Sequence, residues 1–304
     1  MNVRHFRKVA DLDAREIRYV LDEAARLKRQ PHGDVLDGKT VALIFSKPST
    51  RTRVSFSVGV YQLGGMPLFL GEQELQMRKS ESIEDTARVL SRYVDAIVIR
   101  TFAQADVDDL AANAGVPVIN ALTDDRHPCQ ALTDIFTLEE RFPDVRGRTV
   151  TYLGDGNNVA VSLAIAGAMT GVQVCLSVPE GCDVPARLWD EIVSVAKQHG
   201  TRVWVERDPA LAVAGASALY TDVWFSMGQV PDESKRRALQ AYRVDATLLA
   251  RALPEAVVMH CLPAHRGEEI TSEVMDGPRS VVFDQAENRL HVQKALLAYL
   301  IRGS

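Results

Sequence analysis

Ser49, Thr50, Arg51 and Thr52 follow one another without a break, and together they offer three hydroxyls and one guanidinium. That donor set suits a phosphate, because the planar arginine fork engages two oxygens at once. The flanks decide where it points. Residues 40–45 form an apolar run that reads as a buried strand, and residues 54–63 read as a helix closed by Gly64 and Gly65. A strand feeding a helix through these four residues sets hydroxyls, backbone N–H groups and a cation at a helix N-terminus. Unpaired N–H groups and the helix dipole both favour an anion there. The plainer alternative is a capping serine followed by solvated arginines.

Other polar residues sit where apolar runs end. Arg100 closes the run 96–99, and a charge at the mouth of a buried strand needs a counter-charge or a ligand. We read it as a ligand for an anion or a carbonyl, against an ordinary ion pair. His127, Pro128, Cys129 and Gln130 open a helical pattern after a strand exit at 120–124. Pro128 suits the first turn, which leaves His127 at the cap position. Imidazole and amide so placed can donate to a carbonyl oxygen and accept from an NH2 group, although a lone histidine is more often a satisfied structural residue. Gly154-Asp155-Gly156-Asn157-Asn158 faintly resembles a dinucleotide-binding glycine loop but carries Val159 where the third glycine belongs. Its asparagines suit a substrate carboxylate or amine better.

Asp222 can hold an ammonium group, with Ser226, Met227 and Gly228 clasping the rest of a small zwitterion; a capping aspartate in a turn is the common alternative. His260, Cys261 and His265 fall within six residues, yet three potential ligands with no second cluster make a poor structural zinc site. Metal is therefore set aside. A thiol at Cys261 beside a substrate amine is the sharper reading, and a structural cysteine the plainer one. Arg289, in Glu287-Asn288-Arg289, adds a cation at the start of a last helix.

The elements that must position these groups alternate. Strand-like runs at 95–100, 116–120, 149–153, 172–178, 202–205, 218–220 and 256–260 are interleaved with helical patterns at 106–114, 129–142, 160–170, 185–199 and 286–301. Such alternation implies an α/β fold with parallel sheets covered on both faces, and ligands at the carboxyl ends of the strands. A chain of 304 residues suggests two domains, with residues 143–147 as the boundary. The net charge of −5 argues against a nucleic-acid groove. No apolar run reaches the ~18 residues of a membrane span, and the basic start carries no secretory pattern. Cys129, Cys175, Cys182 and Cys261 lie far apart, which favours reduced thiols and a cytoplasmic setting.

Taken together, these motifs resemble the aspartate/ornithine carbamoyltransferase family over essentially the whole chain. Ser49-Thr50-Arg51-Thr52 is similar to its phosphate loop and His127-Pro128-Cys129-Gln130 to its H-P-x-Q motif. Three further stretches are similar to ornithine-type signatures: Gly154-Asp155-Gly156-Asn157-Asn158, Asp222 with Ser226-Met227-Gly228, and His260-Cys261-Leu262-Pro263. Aspartate-type members carry P-L-P-R at the last of these and lack S-M-G; putrescine-type members differ at Asn157-Asn158 and Ser226-Met227. The stretch Gln76-Met77-Arg78-Lys79-Ser80-Glu81 departs from the ornithine-type Q-L-G-R-G-E, and Lys79 and Pro48 look like the aspartate type. The lost glycines imply a stiffer loop.

The resemblance implies an α/β fold of two doubly wound parallel-sheet domains linked by long helices. A carbamoyl-phosphate domain would span 1–142, with 286–304 packing back on it, and an amino-acid domain 143–285. It implies an enzyme that moves the carbamoyl group of carbamoyl phosphate to the δ-amine of L-ornithine, giving L-citrulline and phosphate, in arginine biosynthesis or a urea-type pathway. Another acceptor, aspartate or putrescine, is the alternative. Arg100, His127, Asp222 and Cys261 would be catalytic. Carbamoyl phosphate would meet Ser49, Thr50, Arg51, Thr52, Gln76, Arg100, His127, Pro128, Cys129, Gln130, Cys261, Leu262 and Arg289; ornithine would meet Asn158, Asp222, Ser226 and Met227. No cofactor or metal is implied, nor any nucleic acid or membrane. A homotrimer or a multiple of trimers is, with Gln76 reaching a neighbour's site. Two readings from other classes stand beside it: a non-catalytic anion-binding protein, separable by turnover, and a nucleotide-dependent dehydrogenase, separable by cofactor binding.

Overall fold

Strands that are apolar along their whole length need cover on both faces, and the chain supplies it twice. The computed structural model describes residues 3–71, 77, 80–226 and 228–302. It divides into two units, Met1–Phe136 with Asn288–Ser304, and Thr137–Glu287.

The first unit runs α1 (Ala14–Arg29), β1 (Thr40–Phe45), α2 (Thr50–Gln62), β2 (Met66–Gly71), α3 (Ile83–Leu90), β3 (Ala96–Arg100), α4 (Gln104–Asn113), β4 (Val118–Leu122) and the start of α5 (Pro128–Arg141). All strand pairs are parallel, in the order β2-β1-β3-β4. Ala42, Ile44, Ile97, Ile99, Val107, Leu110 and Val118 are fully buried in one cluster beneath the sheet. Helix α1 starts at a capping box, Asp13 accepting from Glu16 N (2.8 Å) while Glu16 accepts from Asp13 N (2.7 Å). Its buried face is Ile17, Val20, Leu21, Ala24 and Leu27, the spacing of one helical stripe.

The second unit runs through β5 (Thr149–Leu153), α6 (Asn158–Thr170), β6 (Gln173–Ser177), α7 (Ala186–His199), β7 (Val203–Val205), α8 (Pro209–Ala212), β8 (Ala218–Thr221), α9 (Glu233–Leu239), α10 (Ala246–Leu249), β9 (Val257–His260), α11 (Ser272–Met275) and the start of α12 (Val282–Arg302). Its five strands are parallel in the order β7-β6-β5-β8-β9. Residues 159–169 of α6 are all buried, which explains a helix that is apolar all round.

In each sheet the strand order reverses beside the first strand: between β1 and β3, and between β5 and β8. Loops leaving such neighbours in opposite directions open a crevice at the carboxyl edge, where doubly wound folds take ligands.

Several boundaries differ from the sequence reading. Helix α2 begins at Thr50, not at 54, because Ser49 caps it, so Thr50, Arg51 and Thr52 form its first turn. Strand β2 was not foreseen: Pro67 argues against a strand, but at a sheet edge its missing N–H is tolerated. Strand β4 runs to Leu122 rather than ending at 120. Helix α12 begins at Val282, so Arg289 lies two turns inside it and not at its start. The two units divide at 136/137 and 287/288, inside α5 and α12. A cut inside a helix leaves no turn residues to mark it.

Candidate active site

Ser49 caps α2, its Oγ accepting from Thr52 N (3.3 Å) and donating to Thr52 Oγ1 (2.9 Å). Three strand exits are tied together around this turn. Ser46 N donates to Arg100 O (2.9 Å), Thr101 N to Leu122 O (3.1 Å) and Asp124 N to Phe102 O (2.8 Å). Lys47, 3% exposed, pairs with Asp124 and lies 4.2 Å from the Phe102 ring centroid. Arg100 and Arg289 are buried. Arg51 Nε is buried without a hydrogen-bond partner among the described residues.

His127 stands at the head of α5, its carbonyl accepting from Ala131 N (3.1 Å), and is 4% exposed. Burial pushes its imidazole well below the ordinary 6.5, and Arg289, Arg100 and Arg51 push it further. Three guanidiniums therefore bear on one neutral ring. So much positive charge around a buried group favours an anion there, and a neutral imidazole still has an N–H to donate. Gln130 is oriented from both ends: Nε2 donates to Asp134 Oδ1 (2.8 Å), and Oε1 accepts from Arg289 Nη1 (3.2 Å). Its oxygen is thus the atom left on the arginine side.

The second unit gathers a different set at the exits of β5, β8 and β9. Asn157 caps α6, its Oδ1 accepting from Val159 N (2.9 Å), Ala160 N (3.2 Å) and Tyr152 Oη (3.1 Å). Its Nδ2 donates to Asp222 Oδ2 (2.8 Å). The other oxygen, Asp222 Oδ1, accepts from Cys261 Sγ (3.1 Å). A carboxylate held by two neutral donors, 6% exposed, can attract a cationic amine while the thiol and amide keep it aimed. The loop leading to Asn157 depends on Gly156, where a Cβ would meet Val184 N at 2.5 Å. Asn158 is the first residue of α6.

Among the predicted residues, the first unit brings Arg51, Arg100, His127, Gln130 and Arg289 together, with Ser49 and Thr52 in the adjoining turn. Thr50 is exposed. Pro128 is buried in the first turn of α5. Cys129 turns inward: its thiol faces Asn120 O (3.4 Å) and burial pushes it up to about 12, so only its backbone can serve a ligand. The second unit brings Asp222 and Cys261 into contact, with Leu262 next in chain. Ser226 N donates to Gln229 Oε1 (3.0 Å). Gln76 and Met227 lie outside the described residues, as do Arg78 and Lys79 of the altered loop.

Sequence reasoning missed Lys47, Asp134 and the aiming role of Asn157. A lysine between a buried strand and Pro48, and an acid one turn after Gln130, were the available signals. Among the described residues, Asp222, His260 and Cys261 form one three-ligand group, and His265, Glu268 and Glu269 another. In the first, both imidazole nitrogens are engaged, by Leu262 N and by Glu269, so His260 as it stands does not fit a metal.

Fold and site define an α/β protein of two doubly wound units, one bearing an anion pocket and the other an aimed carboxylate. The sequence matches the aspartate/ornithine carbamoyltransferase carbamoyl-P binding domain over residues 4–140 and the Asp/Orn binding domain of the same family over residues 146–300. The chain belongs to the aspartate/ornithine carbamoyltransferase family. It is 53% identical to an ornithine carbamoyltransferase of Parafrankia sp., covering 99% of this chain and 97% of the relative. With an ornithine carbamoyltransferase of Methanoculleus marisnigri it shares 50%, at the same coverages. A solved ornithine carbamoyltransferase from Pyrococcus furiosus superposes with a TM-score of 0.96 at 48% identity, covering 99% of this chain and 98% of that one.

Proposed function

We propose that this chain transfers the carbamoyl group of carbamoyl phosphate to the δ-amine of L-ornithine, giving L-citrulline and phosphate. The observation that carries this is the neutral, buried His127 beside Arg51 after β1, Arg100 at the end of β3 and Arg289 of α12. Such a pocket suits a substrate with a phosphate tail and a carbonyl to polarise.

Backbone N–H groups at the start of α2 and the Arg51 fork would neutralise the phosphate as it leaves. Thr52, Arg100 and His127 would donate to the carbonyl oxygen as charge builds there. A neutral His127 polarises without competing to protonate the leaving group. Gln130 Oε1 and the backbone carbonyls of Cys261 and Leu262 would accept from the carbamoyl NH2, with Arg289 supporting that end. Asn158, Ser226 and Met227 would fix the ornithine α-groups. Asp222 and Cys261 would steer the side-chain amine, whose free pKa lies near the ~10.4 of lysine; desolvation favours the neutral, attacking form. No cofactor or metal enters the scheme.

We further propose a homotrimer, or a multiple of trimers, working in the cytoplasm on arginine or urea-type metabolism. Two features are compatible with the cytoplasmic part of this reading: among the described residues no helix is long and apolar enough to cross a membrane, and none of the four cysteines is in a disulfide.

The test is turnover. Purified protein with carbamoyl phosphate is offered ornithine, aspartate or putrescine in turn, and the ureido product is measured. Citrulline should form far faster than either other product. A preference for aspartate or putrescine would move the acceptor assignment, and no ureido product at all would leave only an anion-binding protein.

A further inference from the structure

The proposed reaction asks the carbonyls of Cys261 and Leu262 to face the carbamoyl NH2, yet Leu262 is the only non-glycine residue among those described with positive φ, at 61°. The left-handed region is unfavourable for a branched side chain and persists only where neighbours over-determine it. One restraint is local: Leu262 N donates to His260 Nδ1 (2.9 Å). A ring whose Nδ1 accepts must carry its proton on Nε2. That nitrogen lies 3.0 Å from Glu269 Oε1, and both side chains are fully buried. The same oxygen accepts from His265 N (2.6 Å), so one carboxylate clips both ends of the segment 260–265. Glu269 is itself anchored, its carbonyl accepting from Val244 N (2.8 Å). His260 N is held by Gln285 Oε1 (2.9 Å).

We propose that Glu269 is a positioning residue for carbamoyl transfer: it selects the Nε2–H tautomer of His260, which keeps Nδ1 an acceptor for Leu262 N–H and so aims the Cys261 and Leu262 carbonyls. This rests on the reaction proposed above. Glu269 touches no substrate and acts only through His260 and the backbone. Its second oxygen has no hydrogen-bond partner among the described residues, so a glutamine can occupy the site and keep Oε1 as acceptor. A leucine cannot.

The test uses the full-length chain with Glu269→Gln and Glu269→Leu, varying carbamoyl phosphate and adding inorganic phosphate as a competing probe. The leucine variant should lose about ten- to a hundredfold in kcat/KM, the expected effect of removing a buried acceptor. Glutamine should restore most of it. The inhibition constant for phosphate should stay put in both, because phosphate meets residues of the first unit. Nitrogen-15 spectra of His260, assigned with His260→Gln, should show a neutral ring protonated at Nε2 in the wild type. Wild-type kinetics in a folded Glu269→Leu, a glutamine variant as impaired as the leucine one, or a His260 ring protonated at Nδ1 would each overturn the proposal. Should the leucine variant not fold, the His260 spectrum decides. Should the wild type form no ureido product, the proposed reaction fails while the spectrum still tests the clip.

Discussion

His127 is the residue on which the first unit turns. Its depressed imidazole has a consequence for stability that is separate from catalysis. Below the ordinary 6.5 the unfolded chain takes up a proton that the native ring refuses, so stability falls as pH drops from 6.5 toward the depressed native value. The slope from this one group approaches ~1.4 kcal/mol per pH unit. Acid unfolding of His127→Asn should be shallower than that of the wild type between pH 6.5 and 5, and equal slopes would show that the native ring titrates normally. The catalytic residues separate by kinetics. Arg100→Ala should lower kcat by about 10²–10³, as removal of an oxyanion donor does. Cys261→Ser should mainly raise the KM for ornithine. Varying each substrate in turn would expose a mistake if the two patterns were exchanged.

At the scale of elements, every group in either pocket except Arg289 leaves the carboxyl end of a parallel strand or lies in the first turn of a helix, and that is why so much was readable from residue order. The apolar runs that became β1, β3 and β5 were visible because they are buried on both faces, and the polar residues ending them stood out by contrast. Legibility failed where tertiary context overrode local pattern. Strand β2 was hidden by Pro67, and the early start of α2 because Thr50 to Arg53 break the apolar pattern of the helix they open. Asp134 and the aiming role of Asn157 were hidden because their importance lies in what they hold, not in what they are. Asn157 can be tested as a hinge between cap and carboxylate. Asn157→Ala removes the cap, costing about 1 kcal/mol of stability, and frees Asp222 Oδ2. Asn157→Asp keeps the cap but sets a second carboxylate against Asp222. If aiming Asp222 matters, both variants should raise the KM for ornithine, and only the alanine should lose the helix-capping stability. An aspartate variant with a wild-type KM would reduce Asn157 to a cap.

For the whole molecule, the first unit carries large apolar side chains exposed at its surface. Val54 (53% exposed) and Tyr61 (71%) lie along α2, and Met66 (55%) lies on the edge strand β2. Exposed apolar residues beside an open sheet edge mark surfaces that pair with another chain. Closed cyclic symmetry would bury the same patch in every copy, and the proposed trimer predicts a particle of three times the 33.5 kDa of one chain by light scattering. A monomer at micromolar concentration would end the proposal. Sharing of sites is a stronger demand than association. If each site takes Arg51 from one chain and Gln76 from its neighbour, Arg51→Ala and Gln76→Ala are each inactive alone, yet their mixture contains sites built from the intact half of both. Random co-assembly of equal amounts should then restore about a quarter of wild-type turnover. Mixed trimers that remain as inactive as their parents would mean that each chain completes its own site.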